Sequence, residues 1–460
     1  MLIRNLRLIA DKASINKPAT QLLMPTSQQG ETARPRTVAV NWTPEPSGLF
    51  PLSALRPQTH GKTGLSDRWI VRRFLRNVGQ PPITIVLWDG TEFLPKSAEP
   101  VARLVIHERR ALQKLFANPE YEFGELYSAG HIDIEGGLVA FLDSIYRHLN
   151  ATTENSLRAR FLRALSRHQH NTEERARDNI HHHYDIGNEF YRLWLDEQLI
   201  YTCAYFPAPE ATLEQAQLAK LDYVCRKLRL QPGERVVEAG CGWGALALHM
   251  AKHYGVSVKA YNISREQIAH ARERAQREQL HDRVEFVEDD YRAIRGEYDA
   301  FVSVGMLEHV GVDNYAALGA VIDAVLAANG RGLIHTIGRD RSGPMNAWIE
   351  RRIFPGAYPP SLSELMVLFE PAGFSVLDVE NIRLHYAKTL EHWLARFEAN
   401  AERVQNMFDA AFVRAWRLYL AGSKAAFTSG EMQLFQIVFN RHGHNRIPWT
   451  REFLYRGKRE

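Results

Sequence analysis

Cysteine is scarce in this chain: three residues in 460, Cys203, Cys225 and Cys241, with no pair at Cys-x-x-Cys spacing. That scarcity excludes a disulfide framework, a zinc ribbon and a dithiol redox site, and it makes a reducing cytoplasm the expected compartment. No apolar run approaches the roughly 18 to 20 residues that cross a bilayer, so no spanning helix is expected. At the front, Arg4, Arg7, Asp11 and Lys12 interrupt any secretory hydrophobic stretch and no Ala-x-Ala site follows, so export is not expected. No internal repeat is visible, which removes solenoid and propeller arrays.

What is present is ordinary globular material: 45% apolar, 10% aromatic and 24% charged residues, in a length that suits two or three domains. Charge is unevenly spread. Residues 1–80 hold twelve Lys/Arg against four Asp/Glu, leaving the rest at −4 out of a total of +4. A basic front could touch anionic lipid or nucleic acid, or simply be a solvated tail, and charge alone does not choose.

Residues 1–65, rich in Pro, Ser, Thr and Gln, read as a disordered arm. Residues 66–149 read as a small mixed α/β domain. Within it ITIVLW is a strand, Asp89-Gly90 a turn, and GGLVAFLDSIYRHL an amphipathic helix. Residues 150–179, with Leu157, Phe161, Leu162 and Leu165 at helical spacing, read as a helical linker dotted with Arg158, Arg160, Arg163 and Arg167. From 180 to 460, strands RVVEAG, VSVKAYNI, VEFVED, YDAFVSVG and RGLIHTIG alternate with helices near 245–253, 265–278 and 315–326. Alternation of this kind predicts a parallel sheet covered on both faces. An insertion at 349–368, with Phe354, Pro355, Tyr358, Pro359, Pro360, Leu362 and Leu365, is expected over the carboxyl ends of the strands, where open α/β sheets bind ligands. Two late strands, SVLDVENI and LFQIVFNR, follow it.

Glu238-Ala-Gly240-Cys-Gly242-Trp-Gly244 follows an apolar strand and opens a helix, so backbone N–H groups would face a ligand. A P-loop would end in Gly-Lys-Ser/Thr and a dinucleotide loop would read G-x-G-x-x-G; this one reads G-x-G-x-G. With its acid two residues before the first glycine, it resembles motif I of the S-adenosylmethionine (AdoMet) methyltransferases, where that acid holds the amino-acid end of the cofactor. Ser264 to Gln267 begins the helix after the second strand, where ribose hydroxyls would lie, and Asp290-Tyr291 ends the third, where adenine would lie. Asn262 departs from the carboxylate common at its position, and Gln267 is the expected substitute.

Further segments come in a particular order: His183 to Asn188, Tyr201 to Phe206, Val304 to Gly311, His335 to Gly338, and Tyr386 before Thr389-Leu390 and Trp393. Together with the glycine loop they resemble the cyclopropane fatty acid synthase family, strongly over about 180–445 and more weakly before it. The resemblance implies a Rossmann-like class I AdoMet methyltransferase domain preceded by a small mixed α/β domain. It implies methyl transfer from AdoMet to a cis double bond of a phospholipid acyl chain, a carbocation, and ring closure with a bound bicarbonate ion as base. The matching bicarbonate positions are Cys203, Glu308, His335, Tyr386 and the backbone of Ile337. The implied cofactor residues are Tyr201, Thr202, Glu238, Gly240, Gly242, Trp243, Gly244, Gln267, Asp290 and Tyr291. Under the same resemblance residues 66–149 would serve lipid docking or dimerisation and the insertion would wall an acyl channel or pack as a crossover. A homodimer and peripheral association with the inner face of the cytoplasmic membrane are implied as well.

Taken singly, Cys203 could be a small buried hydrophobe, His335 a core histidine and Tyr386 a packed aromatic. As a set they suit a small oxyanion, because thiol, imidazole and phenol supply donors and Glu308 accepts its hydroxyl. Tyr201, Tyr205 and Trp243 are candidates to steady positive charge by cation–π attraction. Consecutive His181-His182-His183 point apart on any regular element, so no metal is expected there. Methyl transfer without ring closure, a non-catalytic lipid-binding protein and a nucleic-acid methyltransferase are the rival readings. The last lacks an Asn-Pro-Pro-Tyr amine site and a Pro-Cys nucleophile, and no nucleic-acid partner is expected.

Overall fold

The computed structural model describes residues 61–96, 99–153 and 186–455. Nearly all of the expected arm, most of the linker with its four arginines, and the His181-His182-His183 run lie outside the described residues.

The first sheet is small because its strands are short. Helix α1 (Leu65–Asn77) leads into β1 (Ile83–Val86), and the Asp89-Gly90 turn sends the chain back as β2 (Glu92–Phe93). Then come β3 (Ala102–Ile106), α2 (Arg109–Ala117), α3 (Pro119–Ser128), β4 (Ile132–Glu135) and α4 (Leu138–Thr153). Strand order is β2-β1-β3-β4, with β1 and β3 parallel and the two edge pairs antiparallel.

The second sheet carries the site. After α5 (Asn188–Arg192), helix α6 (Leu213–Leu228) starts at a capping box: Thr212 accepts from Gln215 N at 3.2 Å while the Gln215 side chain accepts from Thr212 N at 3.0 Å. Next follow β5 (Arg235–Ala239), α7 (Ala245–Tyr254), β6 (Ser257–Asn262), α8 (Arg265–Arg277), β7 (Val284–Glu288), β8 (Tyr298–Val304), α9 (Tyr315–Val325) and β9 (Leu326–Gly338). The insertion forms α10 (Ala347–Arg352) and α11 (Leu362–Phe369). The chain closes with β10 (Phe374–Asn381), α12 (Arg383–Ala399), α13 (Ala401–Met407), α14 (Ala410–Ser429) and β11 (Gln433–Arg441). Buried runs such as Val236-Val237 and Ala300 to Val304 mark strands covered on both faces.

Strand order is β10-β11-β9-β8-β5-β6-β7. The strands from β5 to β9 are parallel, as the alternation predicts. β11 departs from it, inserting antiparallel between β9 and β10. The reason is the connection: α12 and α14 pack against each other as an out-and-back pair, returning the chain to the end of the sheet where β10 left it.

That helical pair also joins the two sheets. Phe412, Trp416 and Leu420 of α14 share one apolar cluster with Leu126, Tyr127, Phe141 and Leu142 of the first module. Arg414 reaches across, donating to the Tyr127 and Ile132 carbonyls and to Asp133 at 2.8 Å. The insertion makes a second tie. Trp348 lies against Gly124, and Glu125 accepts from Trp348 Nε1 at 3.1 Å and from Arg352 at 2.8 and 2.6 Å.

Candidate active site

The carboxyl ends of β5, β6 and β8 open onto a cleft lined by Tyr201, Thr202, Lys220, Glu238, Gly240, Gly242, Trp243, Asn262, Gln267, Met306 and His309, among others. Its floor is the glycine loop. Gly242, at φ +53, would direct a side chain into open space, so backbone alone faces the cleft there. Gly244 works differently. A Cβ on it would meet the Phe286 ring at 2.6 Å and Ala271 at 2.9 Å, so its role is the close packing of α7 on β7 and α8, and it does not line the cleft.

Glu238 is 2% exposed, and its Oε2 has no hydrogen-bond partner. Burial pushes its carboxyl up to about 8, against the pull of the nearby Lys220 charge. A buried acceptor left unmatched costs about 1–3 kcal/mol, a cost that a ligand ammonium would remove. Asn262 and Gln267 act together: Asn262 Nδ2 donates to Gln267 Oε1 at 2.7 Å, so an amide pair closes the end of β6 on the cleft.

The side wall is aromatic. Trp243 donates to Asn188 Oδ1 at 2.7 Å and sets its ring edge-on to Tyr191, while the Tyr201 hydroxyl meets that of Tyr419 at 2.8 Å. Tyr205 is elsewhere, stacked between Tyr223 and His385. Asp290 and Tyr291 are also outside the lining. The Asp290 carboxylate accepts from Arg292 N and Nη1, and the Tyr291 ring belongs to the core cluster beneath α9.

The second constellation lies at the carboxyl ends of β8 and β9. Pairing in register sets Val304 beside His335, and Gly305 N donates to the His335 carbonyl at 2.9 Å. This carries Glu308 back over β9, where its Oε1 accepts from Ile337 N at 2.6 Å. The Glu308 Oε2 has no partner, and burial pushes the carboxyl up to about 7. His335 Nδ1 sits 3.0 Å from the side-chain amide of Gln436, a buried contact that orients the ring. Burial, and then the charges of Lys220 and Lys227, hold that imidazole neutral.

Cys203 is fully buried, with Sγ 3.1 Å from the Ala204 carbonyl, and burial pushes its thiol up, which fits a hydrogen-bonding group and not a nucleophile. Ala204 N donates to Thr389 Oγ1 at 3.0 Å, tying this loop to the face of α12 that carries Tyr386. Of these groups, Glu308 is joined directly to the Ile337 backbone, whereas the His335 ring bonds to Gln436 and the Tyr386 ring packs against Trp393 and Phe427. From the insertion, Phe354 stands 6.1 Å from the His309 ring and Tyr358 N donates to the Glu308 carbonyl. Leu365 is core and Leu362 is exposed, so neither walls a channel.

Sequence reasoning missed Lys220, His309 and Met306. A signal existed for Lys220. On α6 the buried apolar positions Leu213, Ala216, Leu221 and Val224 share a face with Gln217 and Lys220, and polar groups inside such a stripe are exceptional. Gln217 Nε2 donates to the carbonyls of Ile200 and Thr202 at 3.2 and 2.8 Å, fixing the loop that edges the cleft.

A parallel sheet with one antiparallel insertion, a glycine loop after its first strand and an orphaned buried acid beside it define an AdoMet-dependent methyltransferase. Residues 170–437 match the family described as mycolic acid cyclopropane synthetase, and residues 70–157 match a domain described only as of unknown function. The chain belongs to the mycolic acid cyclopropane synthetase family, enzymes that move a one-carbon unit from AdoMet to a lipid. It is 36% identical over 389 residues to the "Probable fatty acid methyltransferase" of Pseudomonas putida, covering 82% of this chain and 96% of that one. It is 40% identical over 270 residues to the cyclopropane-fatty-acyl-phospholipid synthase of Escherichia coli K12, covering 58% and 69%. Mycolic acid cyclopropane synthase CmaA1, solved with SAH and CTAB, superposes with a TM-score of 0.55 at 31% identity over 57% of this chain and 97% of that one. Among the described residues, no helix is long and apolar enough to cross a membrane.

Proposed function

We propose that the chain transfers a methylene unit from AdoMet to the cis double bond of unsaturated phospholipid acyl chains and closes a cyclopropane ring, with bicarbonate assisting proton loss. The observation that carries this reading is Glu308: a buried acid with one oxygen on the Ile337 amide, the other unmatched, and a carboxyl raised to about 7. AdoMet, when bound, supplies an electrophilic methyl group. An alkene is a weak nucleophile, so the protein's share is to orient it, exclude water and tolerate positive charge on the chain. Tyr201 and Trp243, both on the cleft wall, offer ring faces for that charge.

Ring closure requires a proton from the added methyl. Ionised Glu308 would accept the bicarbonate hydroxyl and make the ion a better base, and the His335 imidazole, Tyr386, Cys203 and the Ile337 backbone would hold the anion. The Ile337 amide is held by Glu308 in this structure, so it is shared between carboxylate and anion. A second reading, methyl transfer to give a branched or methylene chain without closure, is favoured by the likeness to the Pseudomonas putida protein along most of the chain.

Lipid mass spectrometry decides between them, with the protein expressed in a host lacking such an enzyme beside a Glu308→Gln control. Monounsaturated chains heavier by one CH2 and resistant to hydrogenation support ring closure. Chains equally heavier but saturated and branched, or still reducible, support the second reading, and no gain overturns both.

Peripheral association with the inner face of the cytoplasmic membrane is part of the proposal, and α1 supports it. Leu65, Trp69, Arg72, Arg73 and Arg76 fall on one helical stripe, all exposed, with Leu65 88% and Trp69 55% accessible. The one acid of that helix, Asp67, turns inward to Arg109 at 2.7 Å. At about 1 kcal/mol per arginine near an anionic surface, reversing all three to Glu is expected to weaken binding to anionic vesicles at least about 100-fold. Unchanged co-sedimentation would remove α1 from the docking face.

A further inference from the structure

Lys220 has a place in the site that neither the sequence motifs nor the reaction accounts for. Its side chain is 2% exposed, yet it opens onto the cofactor cleft. Its Nζ donates one hydrogen bond, to Thr202 Oγ1 at 2.9 Å, and an ammonium has three to give. Asp196 and Glu238 feel its charge, but neither lies within ion-pair distance of it, and the Asp196 carboxylate is satisfied by Ile200 N at 2.9 Å and Gln198 N at 3.0 Å. Burying a cation without a contacting anion is expensive, and burial accordingly lowers the lysine toward its neutral form, to about 8.

Two buried groups of opposite type with unused hydrogen-bonding capacity therefore line one cleft: the Lys220 Nζ, a donor, and the Glu238 Oε2, an acceptor. A group that answers both carries an anion and a cation one carbon apart, which describes the α-amino acid end of AdoMet. Glu238 takes the ammonium, leaving the carboxylate for Lys220 and the Thr202 hydroxyl beside it. We propose that Lys220 is the carboxylate-recognition residue of the cofactor cleft, forming with Glu238 a two-charge clamp that selects a zwitterionic amino-acid tail. Gln217, one turn earlier on α6, positions this clamp by holding the Thr202 backbone. The inference rests on AdoMet as cofactor and is indifferent to which lipid product follows.

Calorimetric titration of the full-length protein with S-adenosylhomocysteine and with its decarboxylated analogue, 5′-deoxy-5′-(3-aminopropylthio)adenosine, tests it without turnover. The wild type is expected to prefer the carboxylate-bearing ligand by about ten- to a hundredfold, the range of a charged hydrogen bond. In Lys220→Met the preference should vanish, with the analogue's affinity changed by less than about threefold, and Lys220→Arg should retain part of it. Equal weakening of both ligands by Lys220→Met would mean a merely structural lysine and would overturn the proposal. The wild-type comparison needs no variant to fold, and equal affinity there overturns the proposal alone, whereas binding of neither ligand overturns the cofactor assignment with it.

Discussion

The cofactor cleft and the Glu308 site lie at the same end of one sheet but are built in opposite ways. The cleft is mostly local: one loop supplies Glu238, Gly240, Gly242 and Trp243, and the next strand-to-helix turn supplies Asn262 and Gln267, bonded to each other. The Glu308 site is almost wholly tertiary. Its candidate members come from the loop before α6, the turn after β8, the end of β9 and the first turn of α12, and Glu308 reaches the Ile337 amide because β8 pairs with β9 in one register. A local site survives small shifts of the sheet. A site assembled from strands does not, since a one-residue slip would turn His335 to the opposite face.

This contrast breaks most sharply at Glu308. Glu308→Gln is expected to lower turnover about 10²- to 10⁴-fold, the range for removing an acid–base group, while S-adenosylhomocysteine binding stays within about threefold of wild type. Wild-type turnover should rise as pH increases through about 7, because the raised carboxyl must lose its proton before it can accept the bicarbonate hydroxyl, and the variant should lack that step. Both are read from methyl transfer from labelled AdoMet to lipid against pH. A variant retaining the step would assign it to another group.

The glycine loop sharpens the other half. Gly244→Ala forces a Cβ into Phe286 and Ala271 at a backbone φ of +83 and is expected to cost about 2–4 kcal/mol of stability in denaturant unfolding. Gly242→Ala meets nothing within 4 Å, so it is expected to cost no more than about 1–2 kcal/mol, from the φ of +53 alone, and to show instead as weaker S-adenosylhomocysteine binding. The smallest effect is expected where the insertion meets the first module. Glu125→Gln weakens a half-buried tie to Arg352 and should lower stability by about 1 kcal/mol without changing cofactor affinity.

Much of the cleft was legible in the sequence because its chemistry is confined to short stretches whose spacing reflects the turn they form. The strand order around β11 was not, since antiparallel insertion follows from the pairing of α12 with α14 and leaves no periodic mark. Asp290 and Tyr291 show the same limit from the other side: their position after β7 is legible, but the direction of their side chains was set by Arg292 and the core.

By itself, the sequence determined the alternation of strands and helices, the glycine loop with its acid, and the types of residue available for an oxyanion, all of which depend on neighbours along the chain. Tertiary structure decided which of those groups face a common space. Burial raised Glu238 and Glu308 and left one oxygen of each without a partner, and the fold placed the buried Lys220 in the same cleft as Glu238. These are properties of the surrounding medium, and a medium exists only once distant segments have excluded water together.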